Sequence, residues 1–409
     1  MEIREGYKKT EFGIIPHDWE FLKFSEVLKI RHGKSQHDVY SLFGRYPILA
    51  TGGVIGYTNS YLYDKPSVLI GRKGTIDVPQ YMDTPFWTID TLFYSEIYNN
   101  AIAKYIYYLF HTIDWYKFNE ASGVPSLNAK TIESISVPIA PLPEQRAISS
   151  ALSDIDGLIS SIIKLINKKK NIKQGAMQQL LTGKRRLDGF EQKNGNMKTQ
   201  VGVIPKDWTV KTLGELFEIT SSKRVFQSEW RSNGIPFYRA RELAVLSEKG
   251  KVDNELFISK EMYYDYSSRY GAPKVDDILV TGVGTLGKLY VVKENDKFYF
   301  KDGNIIWFKT TVQICSSFIK YLYQTPLLTK QIENSSEGTT VGTYTITNAK
   351  NTIIPVPTLN EQTAIARVLS DMDTEIELLQ NKLVKYKNIK KGMMQELLTG
   401  RIRLIEGVM

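Results

Sequence analysis

The sequence predicts two mixed α+β globules in tandem, separated by two long helices that pair as an antiparallel coiled coil about an approximate twofold axis. Three observations lead there: a duplicated frame, two matching apolar stripes of helical period, and short β-branched runs between glycine turns in the segments left over. A length of 409 residues exceeds what one core ordinarily holds, so several domains are expected.

The duplication has two parts. Thr10-Glu-Phe-Gly13-Ile-Ile-Pro16-His-Asp18-Trp19 returns as Thr199-Gln-Val-Gly202-Val-Ile-Pro205-Lys-Asp207-Trp208, 189 residues later. Glu144-Gln145-Arg-Ala147-Ile148 returns as Glu361-Gln362-Thr-Ala364-Ile365, 217 residues later, and Gly175-Ala-Met177-Gln178-Gln-Leu180-Leu181-Thr182-Gly183 returns as Gly392 to Gly400 at the same offset. The ends of each half therefore match while the interiors differ by 28 residues in length. Such a chain holds two differently tuned surfaces in equivalent places.

After Pro141-Leu-Pro143, the apolar residues Ile148, Leu152, Ile155, Ile159, Ile162 and Ile166 are spaced alternately four and three apart, and Ile365, Leu369, Met372, Ile376, Leu379 and Leu383 repeat that spacing. This is the seam of a coiled coil. Each helix of about 40 residues would be roughly 60 Å long. Gly183 and Gly400 are expected to stop the helices, with Lys184-Arg185-Arg186 and Arg401 near their negative ends. The expected boundaries are 1–142 and 199–358 for the globules, 143–185 and 359–409 for the helices, and 186–198 for a polar linker.

In the globules, runs such as Pro66-Ser-Val-Leu-Ile70 and Asp277-Ile-Leu-Val-Thr281 read as strands. One helical stretch is expected in each, around Ala103 to Phe110 and Ser317 to Tyr323. Their tyrosines, Tyr105, Tyr107, Tyr108, Tyr321 and Tyr323, are expected to pack on a sheet rather than to stack on bases.

Composition narrows the function. A net charge of +9 favours a polyanionic partner, because cations that neutralise phosphates release counterions. No apolar run is long enough to span a membrane. No secretory signal is visible at the start, and a single cysteine, Cys315, expected to be a buried small hydrophobe, fits a reducing cytoplasm. Gly282-Val-Gly284-Thr-Leu-Gly287-Lys288 imitates nucleotide-binding loops, but Leu289 replaces the required hydroxyl and the residues that follow read as a strand; a turn between strands is expected instead. No Pro-Pro exists for an adenine-methylating loop, and Glu191-Gln-Lys193 lacks partner acids for a nuclease metal. His17, His32, His37 and His111 are scattered and lack cysteine partners, so no metal site and no catalytic residue is expected.

These motifs together resemble the type I restriction-modification specificity subunits. The resemblance rests on Val137-Pro-Ile-Ala-Pro-Leu-Pro-Glu144-Gln145 and Ile354-Pro-Val-Pro-Thr-Leu-Asn-Glu361-Gln362, on the two Gln-x-Leu-Leu-Thr-Gly helix ends, and on the Gly-x-Ile-Pro-x-Asp-Trp opening of each half. One departure is Asn360, where the first copy has Pro143. The family implies two target-recognition domains, each reading one half of a bipartite asymmetric double-stranded DNA site. Its helical rod sets the unread gap. It also implies two modification (methyltransferase) subunits and restriction (motor-nuclease) subunits as partners, with S-adenosylmethionine, ATP and magnesium held by those partners and no cofactor in this chain.

Candidate DNA contacts follow from polar side chains in glycine-rich loops. In the first globule they are Arg31, Lys34, Ser35, Gln36, Arg72, Lys73, Ser122 and Ser126. In the second they are Ser222, Lys223, Arg224, Arg239, Arg241, Lys288, Thr340 and Thr343. Arginine suits guanine and glutamine adenine, whereas lysines and hydroxyls suit phosphates. A self-sufficient DNA enzyme and a protein-only coiled-coil adaptor are the competing readings.

Overall fold

The computed structural model describes residues 5–11, 13–190, 195–253, 255–335 and 342–405. It divides into two units, residues 1–164 with 379–409 and residues 165–378. Both long helices, Leu142–Leu180 and Leu359–Leu397, contribute a stretch to each unit.

In the first unit an antiparallel sheet orders its strands Leu28–His32, Leu92–Ile97, Ser67–Gly71, Gln80–Met82. Ser67–Gly71 is buried throughout, as expected of a continuous apolar run covered on both faces. A second sheet joins Gly53–Thr58, Tyr46–Ala50 and Trp87–Thr88, the last pair parallel. Glu20–Lys23 pairs with Ser136–Ile139 and delivers the chain to the first long helix. That helix's start and the second helix's end run antiparallel: Ile148 and Leu152 share a core with Leu397 and Leu398, and Asp156 pairs with Lys390 at 2.6 Å.

The second unit repeats the plan. Its four-stranded sheet runs Phe217–Thr220, Ile305–Thr310, Ile278–Thr281, Leu289–Val291, and its three-stranded sheet runs Phe257–Ile258, Ile235–Tyr238, Tyr299–Phe300. Here Met177, Leu180 and Leu181 share a core with Ile365, Ala366 and Leu369, while Lys173 meets Asp373 at 2.5 Å and Lys169 meets Glu375 at 2.6 Å. The helices are again antiparallel. Every residue of the two predicted seams is buried or half-buried.

The repeated motifs converge on one joint per unit. In the first, Trp19 Nε1 donates to Glu144 at 2.8 Å, and Arg403 grips Glu144 at 2.7 Å and Asp18 at 2.8 and 2.9 Å. In the second, Trp208 Nε1 donates to Glu361 at 3.0 Å, and Arg186 grips both Glu361 and Asp207. The neighbouring glutamines splice the globules to the helices. Gln145 accepts from Ile102 N at 2.9 Å and donates to Ala140 O, while Gln362 accepts from Cys315 N at 3.0 Å and donates to Pro357 O. Each stop glycine, Gly183 at φ 67° and Gly400 at φ 71°, lies where a Cβ would meet a proline, Pro205 or Pro16, at 2.4 Å.

Several expectations need correction. The predicted helical stretches are present as Ala103–Phe110 and Ser316–Leu322. They are not alone: Ala129–Ser134, Ala240–Lys249, Lys260–Tyr270, Pro326–Ser335 and Ile346–Asn351 are helical too. The first globule closes its hairpin directly from Ala50 to Gly53, whereas Ala240–Lys249 fills the corresponding place in the second, which accounts for much of its extra length. Arg186 serves the joint rather than the helix dipole, and Arg401 pairs with Glu396 at 3.6 Å. Cys315 is half-buried. Tyr105, Tyr108, Tyr321 and Tyr323 are buried in the cores, as expected, whereas Tyr107 is half-buried.

Candidate nucleic-acid interface

The candidate loops of the first globule meet at the segment Trp87 to Thr91. Lys34 N donates to Thr88 O at 2.9 Å and Trp87 Nε1 donates to Lys34 O at 2.9 Å, so the loop after Leu28–His32 is pinned from both sides. Gly33 permits this, because a Cβ there would fall 1.9 Å from Ile89 O. Arg72 N donates to Thr91 O at 2.8 Å, and its Nη1 reaches Asp90 O at 3.3 Å. Lys73 forms a β-bridge with Ser126, flanked by Leu127 N to Arg72 O at 2.9 Å and Gly74 N to Pro125 O at 2.9 Å. Arg31, Lys34, Arg72, Lys73 and Ser126 thus belong to one scaffold. Ser35 and Ser122 are exposed and Gln36 is half-buried on the same loops.

The second globule builds the same frame with other side chains. Gly282 N donates to Asn304 O at 2.8 Å where Arg72 meets Thr91, Tyr344 N donates to Gly282 O at 2.9 Å where Leu127 meets Arg72, and Val283 bridges Thr343 where Lys73 bridges Ser126. Ser221 Oγ donates to Ile305 O at 2.8 Å and Ser222 Oγ to Phe300 O at 2.6 Å, fastening the loop that carries Lys223 and Arg224. Gly282 to Gly287 is a turn between the strands Ile278–Thr281 and Leu289–Val291, as predicted.

Electrostatics sorts the candidates. Arg31 pairs with Glu96 at 2.9 Å, Arg224 with Asp302 at 2.9 Å, and Lys288 with Glu248, whose carboxyl the lysine holds below its ordinary range. Arg239 grips the buried Glu242 and starts Ala240–Lys249, with Arg241 exposed beside it. These three, Arg239, Arg241 and Lys288, cluster around that helix. Lys34, Arg72 and Lys73 form no ion pair among the described residues. Thr340 lies outside the described residues. Among the described residues no group of three or more histidine, cysteine, aspartate or glutamate side chains could hold a metal, and no helix is long and apolar enough to cross a membrane.

Sequence reasoning missed the contacts that seat each globule on the helices. Tyr108 donates to Asp156 at 2.9 Å and Asp156 pairs with Lys390; in the second unit Tyr321 donates to Asp373 at 2.9 Å and Asp373 pairs with Lys173. The offset of 217 residues from Asp156 to Asp373 and from Lys173 to Lys390 was a usable signal.

The family described as Type I restriction modification DNA specificity domain matches residues 16–174 and 205–387. The chain is similar to the type I restriction enzyme MjaVIII specificity subunit of Methanocaldococcus jannaschii, 28% identical over 433 residues that span 98% of this chain and 96% of that one. It is 22% identical over 365 residues to the EcoBI specificity subunit of Escherichia coli, spanning 82% of this chain and 73% of that one. In fold it is similar to the crystal structure of the type I S subunit from M. genitalium, with TM-score 0.60, 14% identity and coverage of 97% and 98%. A chain solved in work on assembly and conformational transition of the type I R-M system gives TM-score 0.53 at 14% identity, with coverage of 95% and 99%.

Proposed function

Since this chain belongs to the type I restriction-modification DNA specificity family, a non-catalytic DNA-recognition component of its complex, we propose that its two globules read the two halves of a bipartite, asymmetric duplex site. The observation that carries this is the constant backbone frame with changed side chains. Arg72, Lys73 and Ser126 in one globule stand where Gly282, Val283 and Thr343 stand in the other. Phosphate contacts fix register and base-edge contacts supply sequence information, so one frame with two sets of side chains yields two different half-sites.

In this reading the domains run 1–142, 143–185, 186–198, 199–358 and 359–409, as recognition domain, helix, linker, recognition domain and helix. The paired helices set the number of unread base pairs and dock two modification subunits, which hold S-adenosylmethionine. Restriction subunits bring ATP and magnesium chemistry to the assembly. Lys34, Lys73 and Lys223 neutralise phosphates, while Arg72 and Gln36 face base edges. The complex works in the cytoplasm, a setting that the single cysteine suits.

The test is to co-express the chain with its modification subunit and map adenine methylation by long-read sequencing. A bipartite motif with a fixed gap, absent without this chain, is expected. A motif that persists unchanged without the chain would overturn the proposal.

A further inference from the structure

Leu42 is 78% exposed and Phe43 94% exposed, at the tip of a turn in the first globule. An apolar pair so placed is not a loose end. Ser41 N donates to Tyr57 O at 2.8 Å, Gly44 N donates to Ser41 O at 3.3 Å, and Tyr40 bridges Thr58. The Tyr40 ring lies on Gly56, where a Cβ would sit 2.5 Å from Cε2, and a Cβ on Gly44 would fall 2.2 Å from Thr58 N. The backbone beneath the tip is therefore braced by the hairpin Tyr46–Ala50 with Gly53–Thr58.

The tip continues the proposed recognition loop. Gln36 O accepts from Val39 N at 3.1 Å and Tyr40 N at 3.0 Å, a single turn separating the base-facing candidates from the wedge-shaped tip. From Gly33 to Tyr63 the one carboxylate is Asp38, against Lys34 and Arg45, while the preceding Arg31 is paired with Glu96. An apolar protrusion on a stretch of net positive charge suits a polyanion with an apolar interior, which is duplex DNA, better than it suits an ordinary protein surface. The second globule also exposes an aromatic side chain in the loop after its strand Phe217–Thr220, at a different place in that loop. Phe226 is 60% exposed, two residues after Arg224 and beyond the buried Val225, and it is held at the start of a short helical turn by its N–H to Glu229 Oε2 at 2.7 Å.

We infer that Phe43 with Leu42, and Phe226 in the second globule, are apolar wedges that enter base steps beside the two half-sites. Apolar side chains of this kind unstack a step and kink the duplex, adding contact that charge alone does not supply. The inference rests on the DNA-reading role proposed above.

The test uses the full chain co-purified with its modification subunit and a duplex carrying the mapped motif, with 2-aminopurine placed at successive steps. The wild-type complex should raise fluorescence at one step near each half-site. Phe43→Ala should abolish the rise at one half-site only, weaken binding by roughly 5- to 100-fold, and leave the methylated sequence unchanged. Phe226→Ala should act at the other, and Phe43→Trp should restore the signal. Because Phe43 is exposed, its loss leaves the core intact. Unstacking and affinity equal to wild type in Phe43→Ala would overturn the inference. So would loss of the modification subunit from that variant on gel filtration, which would assign the tip to a protein partner. A wild-type complex that methylates no bipartite motif would instead sink the DNA-reading role itself, and the wedges with it.

Discussion

Arg403 donates from Nε to Glu144 at 2.7 Å although 259 residues separate them. The same guanidinium forks onto Asp18, and Glu144 also receives Trp19 Nε1, so three parts of the repeated frame close on one carboxylate. A planar fork suits two carboxylates at once in a way an ammonium does not.

Arg403→Met leaves Glu144, 2% exposed on its side chain, without its cation. Removing one member of a buried pair costs about 3–5 kcal/mol. Arg401→Ala breaks only the exposed contact to Glu396 and should change stability by less than about 0.5 kcal/mol. Urea denaturation of the full chain compares them; equal effects would contradict the joint.

The pH response follows from Arg186. Its hydrogen bonds hold Asp207 below the ordinary carboxylate range, against the opposing effect of burial. A carboxyl with a depressed folded pKa contributes stability that is present above its unfolded value of about 3.9 and lost as pH falls through the folded value. Unfolding midpoints should therefore drop as the solution is acidified below about pH 4. Arg186→Met should remove part of that slope, and an unchanged slope would contradict the assignment.

One substitution should have opposite signs at two glycines. Gly400→Ala forces a left-handed φ of 71° on alanine and drives a Cβ to 2.4 Å from Pro16, so a loss of at least about 1–2 kcal/mol is expected. Gly175→Ala lies inside Leu142–Leu180 with nothing within 4 Å of the added carbon, and should gain about 0.5–1 kcal/mol from helix propensity. Thermal melts of both variants check the contrast.

The seat of the first globule can be measured by a double-mutant cycle. Tyr108→Phe and Lys390→Met both act through Asp156, so their effects should be coupled by about 0.5–1.5 kcal/mol. Strict additivity would mean that Asp156 joins nothing.

The frame was legible because its demands are local and repeated. A seam with alternating spacing of four and three admits few conformations other than paired helices, and Ile148 and Ile365 sit in the cores as that spacing requires. Helix Lys260–Tyr270 was hidden for the opposite reason: it has no fully buried residue, only Met262, Tyr263 and Tyr266 half-buried on a small core, and it is marked chiefly by its ends, Ser259 Oγ accepting from Met262 N at 3.1 Å and Gly271 at φ 85°. The recognition loops were harder still. Lys34 and Arg72 are placed by backbone hydrogen bonds to Thr88 and Thr91, which leave almost no trace in residue type, and Ser126 N donates to the side-chain Oδ1 of Asn119, seven residues earlier, which no local pattern marks.

The most direct measurement is methylation mapping of the combined variant Lys34→Ala, Gln36→Ala, Arg72→Ala and Lys73→Ala, co-expressed with the modification subunit. Two independent readers on one frame predict that one half-site becomes degenerate while the other half and the gap stay as in wild type. Changes in both halves, or in neither, would contradict it.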